Sequence, residues 1–355
     1  MPSPAAATRR RLGWLVGPGI VVALVITFVV TATGPLRPFS AADARRIGLP
    51  VVLGDTLFRP DGTRTALRLP PGDTIGQLAI VPAGLLALVY HRHAEGSRVE
   101  LAVRLRRANG VWEEFATSVE GDFAITSDGG AVVIDSPGEL RSIDLATSSQ
   151  LHTIQDGSWS LVSLNGDWAL LTSGRGDNEI WNVRTGAVVP FATVIGVTPF
   201  GVTAGGQVLR GVMPDPQMQG DTPPRVCLDV VPPVGSGRAI TVPTSPTGAC
   251  GAFDLADANV SPDGTWVAFM SEFSPSGVGA MVLRTAELHR GTWAPVRVHE
   301  THGTVPLRFW DSPTTFIAQY VADGGGNGYE RCSVDGRCRD LDVPGNAVIG
   351  AVVGR

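Results

Sequence analysis

Residues 261–271, SPDGTWVAFMS, contain the pattern that decides the fold of this chain. Pro262-Asp263-Gly264 is typical of a tight turn, and an apolar run from Trp266 to Met270 follows it. A turn that opens into such a run indicates a β-strand. The strand belongs either to an ordinary sheet or to one copy of a repeated unit, and the rest of the chain distinguishes the two cases.

The same turn and strand recur along the chain. The copies are PAGLLALVY (82–90), SDGGAVVID (127–135), NGDWALLTS (165–173), AGGQVLRGV (204–212), SPDGTWVAF (261–269) and DSPTTFIAQ (311–319). Aligning Gly84, Gly129, Gly166, Gly205, Gly264 and Pro313 gives spacings of 45, 37, 39, 59 and 49 residues. A second landmark has nearly the same spacing as Gly129 and Gly166, because Thr147 in LRSIDLATSS and Thr185 in EIWNVRTGAV are 38 residues apart. The recurrence predicts one structural unit repeated along the chain.

The pattern inside a unit is that of half-buried strands. In residues 98–107, RVELAVRLRR, apolar and polar residues alternate, and Asn109-Gly110 then predicts a turn into a further strand. Four strands per unit of about 40 residues are typical of a β-propeller. One four-stranded sheet cannot bury both of its faces alone, whereas neighbouring blades in a ring cover them. The sequence therefore predicts an all-β propeller.

The two ends of the propeller region look like parts of one blade. Residues 58–65 predict an outer hairpin, and the tail 347–355 predicts an inner strand. We expect six full blades and a seventh that both ends build together. A six-bladed ring with the ends packed outside is the alternative.

The opening stretch resembles a known repeat. The SPDG turn followed by the WVAF strand resembles the WD-like repeats of the TolB-type propeller family. The resemblance is strong for one unit, partial for two or three, and spans roughly residues 75–345. The resemblance implies the propeller fold, and it implies no ligand.

The N-terminus has a different composition. Arg9-Arg10-Arg11 precede residues 12–32, which carry no charge and are long enough to span a bilayer. Because basic residues stay on the cytoplasmic side, we expect a cytoplasmic tail (1–11), a transmembrane helix (12–32), a linker (33–49) and an extracytoplasmic propeller (50–355). The alternatives are a cleaved signal peptide and a buried core helix.

Charge excludes one class of partner. The chain has 28 basic and 33 acidic residues, a net charge of −5. Without the three N-terminal arginines, 25 basic residues face 33 acidic ones, so residues 12–355 carry −8. A nucleic-acid binder would show a basic excess, so we expect no nucleic-acid partner.

The four cysteines fit an oxidising compartment. Cys332 and Cys338 flank SVDGR, whose Gly336 suits a three-residue hairpin loop, so the two side chains are expected to face each other. Cys227 and Cys250 remain as the second pair. Four cysteines allow three pairings, and we favour these two disulfides. A zinc site is the alternative, although the ligand spacing is wrong for it.

Linear motifs for catalysis are missing from the sequence. His299-Glu300-Thr301-His302 lacks the helical spacing of a zinc motif. His91 and His93 lack further ligands, so they are interpreted as a solvated loop end. Residues 175–177 (RGD) and 323–328 (DGGGNG) are read as exposed turns rather than as adhesion or calcium sites. Tryptophans 112, 159, 168, 181, 266, 293 and 310 are read as blade packing rather than as binding platforms. We therefore predict no catalytic residue, metal or cofactor.

The long connections carry the candidate binding residues. Antiparallel blades place the connections from second to third strand on one face of the ring, and recognition commonly uses loops on a rigid scaffold. The connections are 91–97, 173–178, 213–224, 272–280 and 322–328. Their candidate residues are Arg92, Arg175, Asp177, Asp215, Asp221, Glu272 and Phe273. Insertions without any partner are the competing interpretation.

Three functions fit these features. The first is a membrane-anchored binding or scaffolding module for a protein or a cell-envelope ligand. The second is an envelope hydrolase or lyase with its site at the ring centre, and the third is a structural subunit of a membrane complex. A channel lined by several ionisable residues would favour the enzyme, whereas a plain channel with a prominent rim would favour binding.

Overall fold

The computed structural model describes most of the chain beyond residue 37. The described residues are 38–92, 99–117, 123–155, 159–191, 197–213, 226–231, 250–251, 258–271, 282–289, 292–293, 297–299, 307–321 and 327–354. The chain divides into two compact units, Met1–Phe39 and Ser40–Arg355. The predicted transmembrane segment 12–32 lies outside the described residues, and among those described no helix is long and apolar enough to cross a membrane.

The second unit is built almost entirely from short strands. One helix, α1 (Ala41–Ile47), comes first. The described strands are β1 (Val51–Leu53), β2 (Thr56–Phe58), β3 (Arg64–Ala66), β4 (Asp73–Val81), β5 (Gly84–Arg92), β6 (Val99–Arg106), β7 (Trp112–Thr117), β8 (Phe123–Ile125), β9 (Ala131–Ser136), β10 (Glu139–Asp144), β11 (Gln150–Ile154), β12 (Trp159–Asn165), β13 (Trp168–Ser173), β14 (Asn178–Asn182), β15 (Val188–Phe191), β16 (Val197–Val202), β17 (Val208–Val212), β18 (Val226–Val231), β19 (Cys250–Gly251), β20 (Asn259–Val260), β21 (Trp266–Ser271), β22 (Val282–His289), β23 (Thr292–Trp293), β24 (Arg297–His299), β25 (Leu307–Ser312), β26 (Thr315–Val321), β27 (Asn327–Ser333), β28 (Cys338–Asp340), β29 (Val348–Ile349) and β30 (Ala351–Val352).

These strands form seven sheets within the described residues. Blades 1 to 6 take β4–β7, β8–β11, β12–β15, β16–β19, β20–β24 and β25–β28 in chain order, and blade 7 combines β29 with β1–β3. The predicted all-β propeller of seven blades is confirmed, and the six-bladed alternative is wrong. The stretch 261–271 is the turn and second strand of blade 5, as the repeat predicted.

The two chain ends close the ring. Val51 and Val52 of β1 pair antiparallel with Ile349 and Val348 of β29, so the inner strand of blade 7 comes from the C-terminal end. The chain then crosses to blade 1, where β30 pairs in parallel with β4. The crossing passes Gly350, where a Cβ atom would lie 2.4 Å from the Leu78 side chain. Glycine therefore permits the close approach that closure needs.

Local turn chemistry explains why the repeated segment folds as it does. Gly264 has a φ of 72° and donates its N–H to the Ser261 carbonyl at 2.8 Å. The Ser261 hydroxyl donates to Asp263 at 2.6 Å and accepts from the Trp266 N–H at 2.9 Å. Burial works against the charge of Asp263, but hydrogen bonds from Ser261 and Thr265 outweigh it and lower the pKa of this carboxyl. The turn is thus held by its own side chains before the strand begins.

The hydrophobic core lies between the blades. Leu86 and Leu88 of blade 1 pack with Val132 and Ile134 of blade 2 in one buried cluster. Another cluster joins blades 4 and 5, and Phe269 within it is 0% exposed. Burying such a side chain is worth about 1.5–3 kcal/mol. Since both faces of a blade are covered in this way, the blade cannot be stable without its neighbours.

Both predicted disulfides are present. Cys332 and Cys338 face each other across β27 and β28, and Ser333 closes the loop between them through its N–H to the Arg337 carbonyl at 2.8 Å. Cys227 and Cys250 face each other across β18 and β19. The zinc alternative fails because the thiols are joined to each other.

Helix α1 lies in the range expected as a linker, 33–49. Ser40 caps it by accepting from the Asp43 N–H, while the Asp43 carboxylate accepts from the Ser40 N–H. Ala44 and Ile47 are buried, and the Arg331 guanidinium donates to the Ile47 carbonyl at 2.8 Å. The folded unit therefore begins at Ser40, ahead of the boundary suggested at residue 50.

Candidate functional site

A channel runs through the middle of the ring. It has a volume of about 890 Å³, and the inner strand of every blade, β4, β8, β12, β16, β20, β25 and β29, lines it. Small-molecule sites commonly occupy about 300–1,000 Å³. The channel is thus large enough to hold a ligand.

Bulges shape the wall of this channel. Four inner strands change register against their neighbours, between Ile75 and Gln77, Leu161 and Ser163, Pro199 and Gly201, and Leu307 and Phe309. The residues after the bulges pair with Leu88, Leu170, Leu209 and Ile317, each four positions after the aligned turn residue of its repeat. The bulges therefore lie at one height. A bulge re-aims the following side chain, and Gln77, Ser163 and Phe309 all line the channel.

Three side-chain oxygens in the channel-lining residues make no hydrogen bond in the structure. They are Gln77 Oε1, Ser163 Oγ and Asn165 Oδ1. Asn165 is 5% exposed, and its amide nitrogen donates to the Ser261 carbonyl at 2.9 Å, which fixes the orientation of the amide. Unsatisfied buried acceptors are uncommon, and they call for a water or a ligand as an explanation.

Charge is sparse along the channel. Among the described residues, its ionisable acids are the carboxylates Asp135 and Asp311 and the phenol of Tyr329, and neither His, Glu nor Arg contributes. Asp311 forms an ion pair with Arg331 at 2.7 Å, and Tyr329 donates to the Ala347 carbonyl at 3.1 Å. The described wall thus contains three ionisable residues, and Asp311 and Tyr329 among them are held by other residues of the protein.

The long connections join second to third strands, as predicted. In blades 1, 3, 4, 5 and 6 they link β5 to β6, β13 to β14, β17 to β18, β21 to β22 and β26 to β27. These adjacent strands are antiparallel, so the five connections leave the ring on one face. We call this face the loop rim, and the face with the SPDG turn the short-turn face.

The structure describes some of the predicted rim residues. Arg92 is exposed at the end of β5, and its N–H donates to the Gly72 carbonyl at 3.3 Å. Arg175 and Asp177 are exposed in a tight turn in which Gly176 donates to the Ser173 carbonyl at 2.9 Å. The other four candidates, Asp215, Asp221, Glu272 and Phe273, lie outside the described residues.

A polar network in blade 1 was not predicted from the sequence. The Asp73 carboxylate is fully buried and meets His91 Nδ1 at 2.5 Å and the guanidinium of Arg104. Arg104 also donates to Glu114 at 2.9 Å, so one residue from each strand of the blade takes part. Burial opposes the charge of Arg104, but the hydrogen bonds to Glu114 and Asp73 raise its pKa. His91 is therefore an anchored residue and not the solvated loop end that the sequence favoured.

The remaining candidates are structural where the structure describes them. His299 is 2% exposed and shares a hydrogen bond with Thr285 at 2.8 Å, while residues 300–302 lie outside the described part. Trp181, Trp266, Trp293 and Trp310 are buried. Trp112, Trp159 and Trp168 are half-buried. Blade packing is thus the main role of the tryptophans, although Trp310 also lines the channel.

No protein-family model and no curated protein sequence matches this chain. Solved structures do resemble it. The β-propeller domain of the Trilobed protease from Pyrococcus furiosus is 12% identical with a TM-score of 0.51, over 81% of this chain and 86% of that one. The C-terminal WD40 domain of Sif2 is 13% identical with a TM-score of 0.42, over 75% and 71%. Dihydro-heme d1 dehydrogenase NirN is 16% identical with a TM-score of 0.40, over 91% and 64%.

At such low identity these likenesses bear on the fold alone. The Pyrococcus propeller is described as having an open velcro topology, whereas here both chain ends share blade 7. The chain is a seven-bladed β-propeller.

Proposed function

We propose that this protein is a membrane-anchored, extracytoplasmic binding or scaffolding module whose partner engages the loop rim. The observation that carries the proposal is the contrast between the two candidate regions. The described channel wall has few ionisable groups, whereas five long connections gather on one face of a rigid ring. Such loops are where recognition usually occurs.

The proposed location rests on the sequence and on the disulfides. The uncharged segment 12–32 after Arg9-Arg10-Arg11 has the length of a membrane anchor, and both cysteine pairs are oxidised. We also propose kinship with the TolB-type propellers, on the strength of the SPDG turn and the WVAF strand. The partner is a protein or a cell-envelope ligand.

The second candidate is an envelope hydrolase or lyase at the ring centre. It is favoured by the size of the channel, about 890 Å³, and by Asp135 and Asp311 in its wall. Asp311 is already paired with Arg331. A pair of independent acid and base groups is therefore not apparent among the described residues, and binding is the better-supported role.

The rim assignment predicts that substitutions on one face weaken partner recovery. Reversing the charges of Arg175 and Asp177, as Arg175→Glu with Asp177→Arg, should reduce co-purification of partners from native membranes roughly fivefold, the effect of losing about 1 kcal/mol. Both residues are exposed and neither side chain holds the turn. The full chain is used with its N-terminal segment intact.

Blade 3 also offers a matched control. Ala187→Glu introduces a charge in the exposed loop between β14 and β15, which leaves the ring on the short-turn face. This variant should recover partners at the wild-type level. If Ala187→Glu loses its partners while the Arg175 and Asp177 variant recovers them fully, the partner binds the short-turn face and the rim assignment is wrong.

A further inference from the structure

The bulges of several blades give the channel wall a regular structure at one height. Bulges in blades 1, 3, 4 and 6 lie at the same height. Ala124 of blade 2 pairs with Val133, and Asn259 of blade 5 pairs with Ala268. Each of these partners lies four positions after the turn glycine of its repeat, so Ala124 and Asn259 share that height. Bulges cost ladder pairing, and proteins place them where a side chain must be re-aimed beside a site. We call this height the bulge level.

The channel-lining side-chain atoms near the bulge level that lack a hydrogen bond are oxygens, which can accept one. Gln77 Oε1, Ser163 Oγ and Asn165 Oδ1 have no partner. Gln77 and Ser163 are half-buried, so rotation about their side-chain bonds brings these oxygens to the channel. The Asn165 amide cannot flip, because its nitrogen already donates to the Ser261 carbonyl. A ligand with several hydroxyl groups would donate to the Gln77 and Ser163 oxygens, whereas the Asn165 oxygen stays buried behind the wall.

The charge of the wall excludes other ligand classes. The described wall contains neither Arg nor His, so it offers no cationic side chain to a phosphate or a carboxylate. Of its two carboxylates, Asp311 is paired with Arg331 at 2.7 Å, so at most one carboxylate of the described wall is available to a cation. A neutral ligand is the best match.

Aromatic side chains complete the wall. Phe123, Phe309, Trp310 and Tyr329 all line the channel. Trp310 is held by its indole N–H, which donates to the Asn259 carbonyl at 3.3 Å. Apolar ring faces combined with amide and hydroxyl acceptors suit a molecule that is apolar on its C–H faces and rich in hydroxyls at its edges.

We infer that the channel is a binding site for a neutral sugar, which lies at the bulge level and donates its hydroxyls to Gln77 and Ser163. The volume of about 890 Å³ is within the range of small-molecule sites. The site is separate from the loop rim, so it does not depend on which partner the rim recognises.

Calorimetric titration of the full-length protein tests this inference. The protein is purified in a detergent without a sugar head group, and the probes are glucose, N-acetylglucosamine and trehalose. At least one of them should bind with one site per chain. Gln77→Leu and Ser163→Ala should each weaken that binding roughly three- to tenfold, the effect of one neutral hydrogen bond.

Controls separate the channel from the rest of the molecule. Gln150→Leu removes an exposed amide of the same kind from outer strand β11 and should leave sugar affinity unchanged. Tetramethylammonium and glucose 6-phosphate probe a cation site and an anion site. The inference is overturned if none of the neutral sugars binds, if only a charged probe binds, or if Gln77→Leu and Ser163→Ala bind sugar as the wild type does.

Discussion

Replacing Asp229 with alanine should lower the free energy of unfolding by about 3–5 kcal/mol. Asp229 lies on β18 directly opposite Arg210 on β17, and Arg210 Nε donates to Asp229 Oδ2 at 2.8 Å. The arginine side chain is 0% exposed and the aspartate side chain 10% exposed. The substitution removes the carboxylate and leaves the guanidinium in the interior, where the loss of an ion-pair partner is costly.

Urea unfolding followed by tryptophan fluorescence measures this loss. The double variant Arg210→Met with Asp229→Leu removes both charges, so it should recover most of the stability lost in Asp229→Ala. Arg46→Ala, which opens an exposed ion pair with Asp342, is the surface control and should cost less than about 1 kcal/mol. An Asp229→Ala protein as stable as the wild type would show that the buried pair is not important for blade 4.

Acidification below pH 6.5 should destabilise the propeller through His299. Burial between blades 5 and 6 lowers the pKa of His299 from 6.5 to about 4, although Asp335 opposes this shift and Arg297 adds to it. The ring touches Phe316, and Nε2 shares a hydrogen bond with Thr285. The folded protein therefore holds the neutral imidazole.

The direction of the effect follows from proton uptake. Between pH 6.5 and about 4 the unfolded chain binds a proton that the folded chain does not, so stability is full above 6.5 and is lost as the pH falls. The expected loss by pH 4 is about 3 kcal/mol. Carboxyls such as Asp128 and Asp263, whose pKa values are lowered from 3.8, add their own losses only at lower pH.

Urea unfolding at a series of pH values checks this prediction. His299→Gln removes the titrating group, so its stability should be nearly flat between pH 6.5 and 4, even if it is lower overall. Wild-type stability that does not change across this window, or a slope that persists in His299→Gln, would assign the acid sensitivity to another group.

The propeller was predictable from the sequence because residues close together in the chain determine the turn and strand of each repeat. The turn at Ser261 to Gly264 is closed by its own side chains. The turn residues aligned from the sequence in blades 1 to 6 are also structurally equivalent, because the residue four positions after each one pairs with the inner strand at the same height. The shared seventh blade was likewise predictable, because each chain end carried part of one unit. The hairpin that joins Cys332 to Cys338 followed from the same rules.

Features that depend on distant neighbours were not predictable. Helix α1 has only seven residues, and its capping box at Ser40 and Asp43 was overlooked in a segment interpreted as linker. The bulges arise from the fit of each inner strand against the second strand, so alternation alone did not reveal them. The network of Asp73, His91, Arg104 and Glu114 draws one residue from each of four strands.

The face on which the long connections lie was predictable, whereas the chemistry of the channel was not. Strand order alone placed the long connections on one face, and Arg92 and Arg175 are exposed there. The channel wall was not predictable, because its residues come mainly from seven separate inner strands that share no linear motif. We propose separate tasks for the two regions, partner recognition at the loop rim and sugar binding in the channel.

The proposed binding role requires that the propeller lies outside the cytoplasm, and one labelling measurement tests this most directly. Single-cysteine variants Ser3→Cys and Ala146→Cys are treated in intact cells with a membrane-impermeant maleimide, with the disulfide-bonded wild type as background. Ala146 is exposed in the loop between β10 and β11. We predict labelling of Ala146→Cys in intact cells, and labelling of Ser3→Cys only after lysis. Labelling of Ser3→Cys in intact cells, with Ala146→Cys protected until lysis, would contradict the extracytoplasmic assignment.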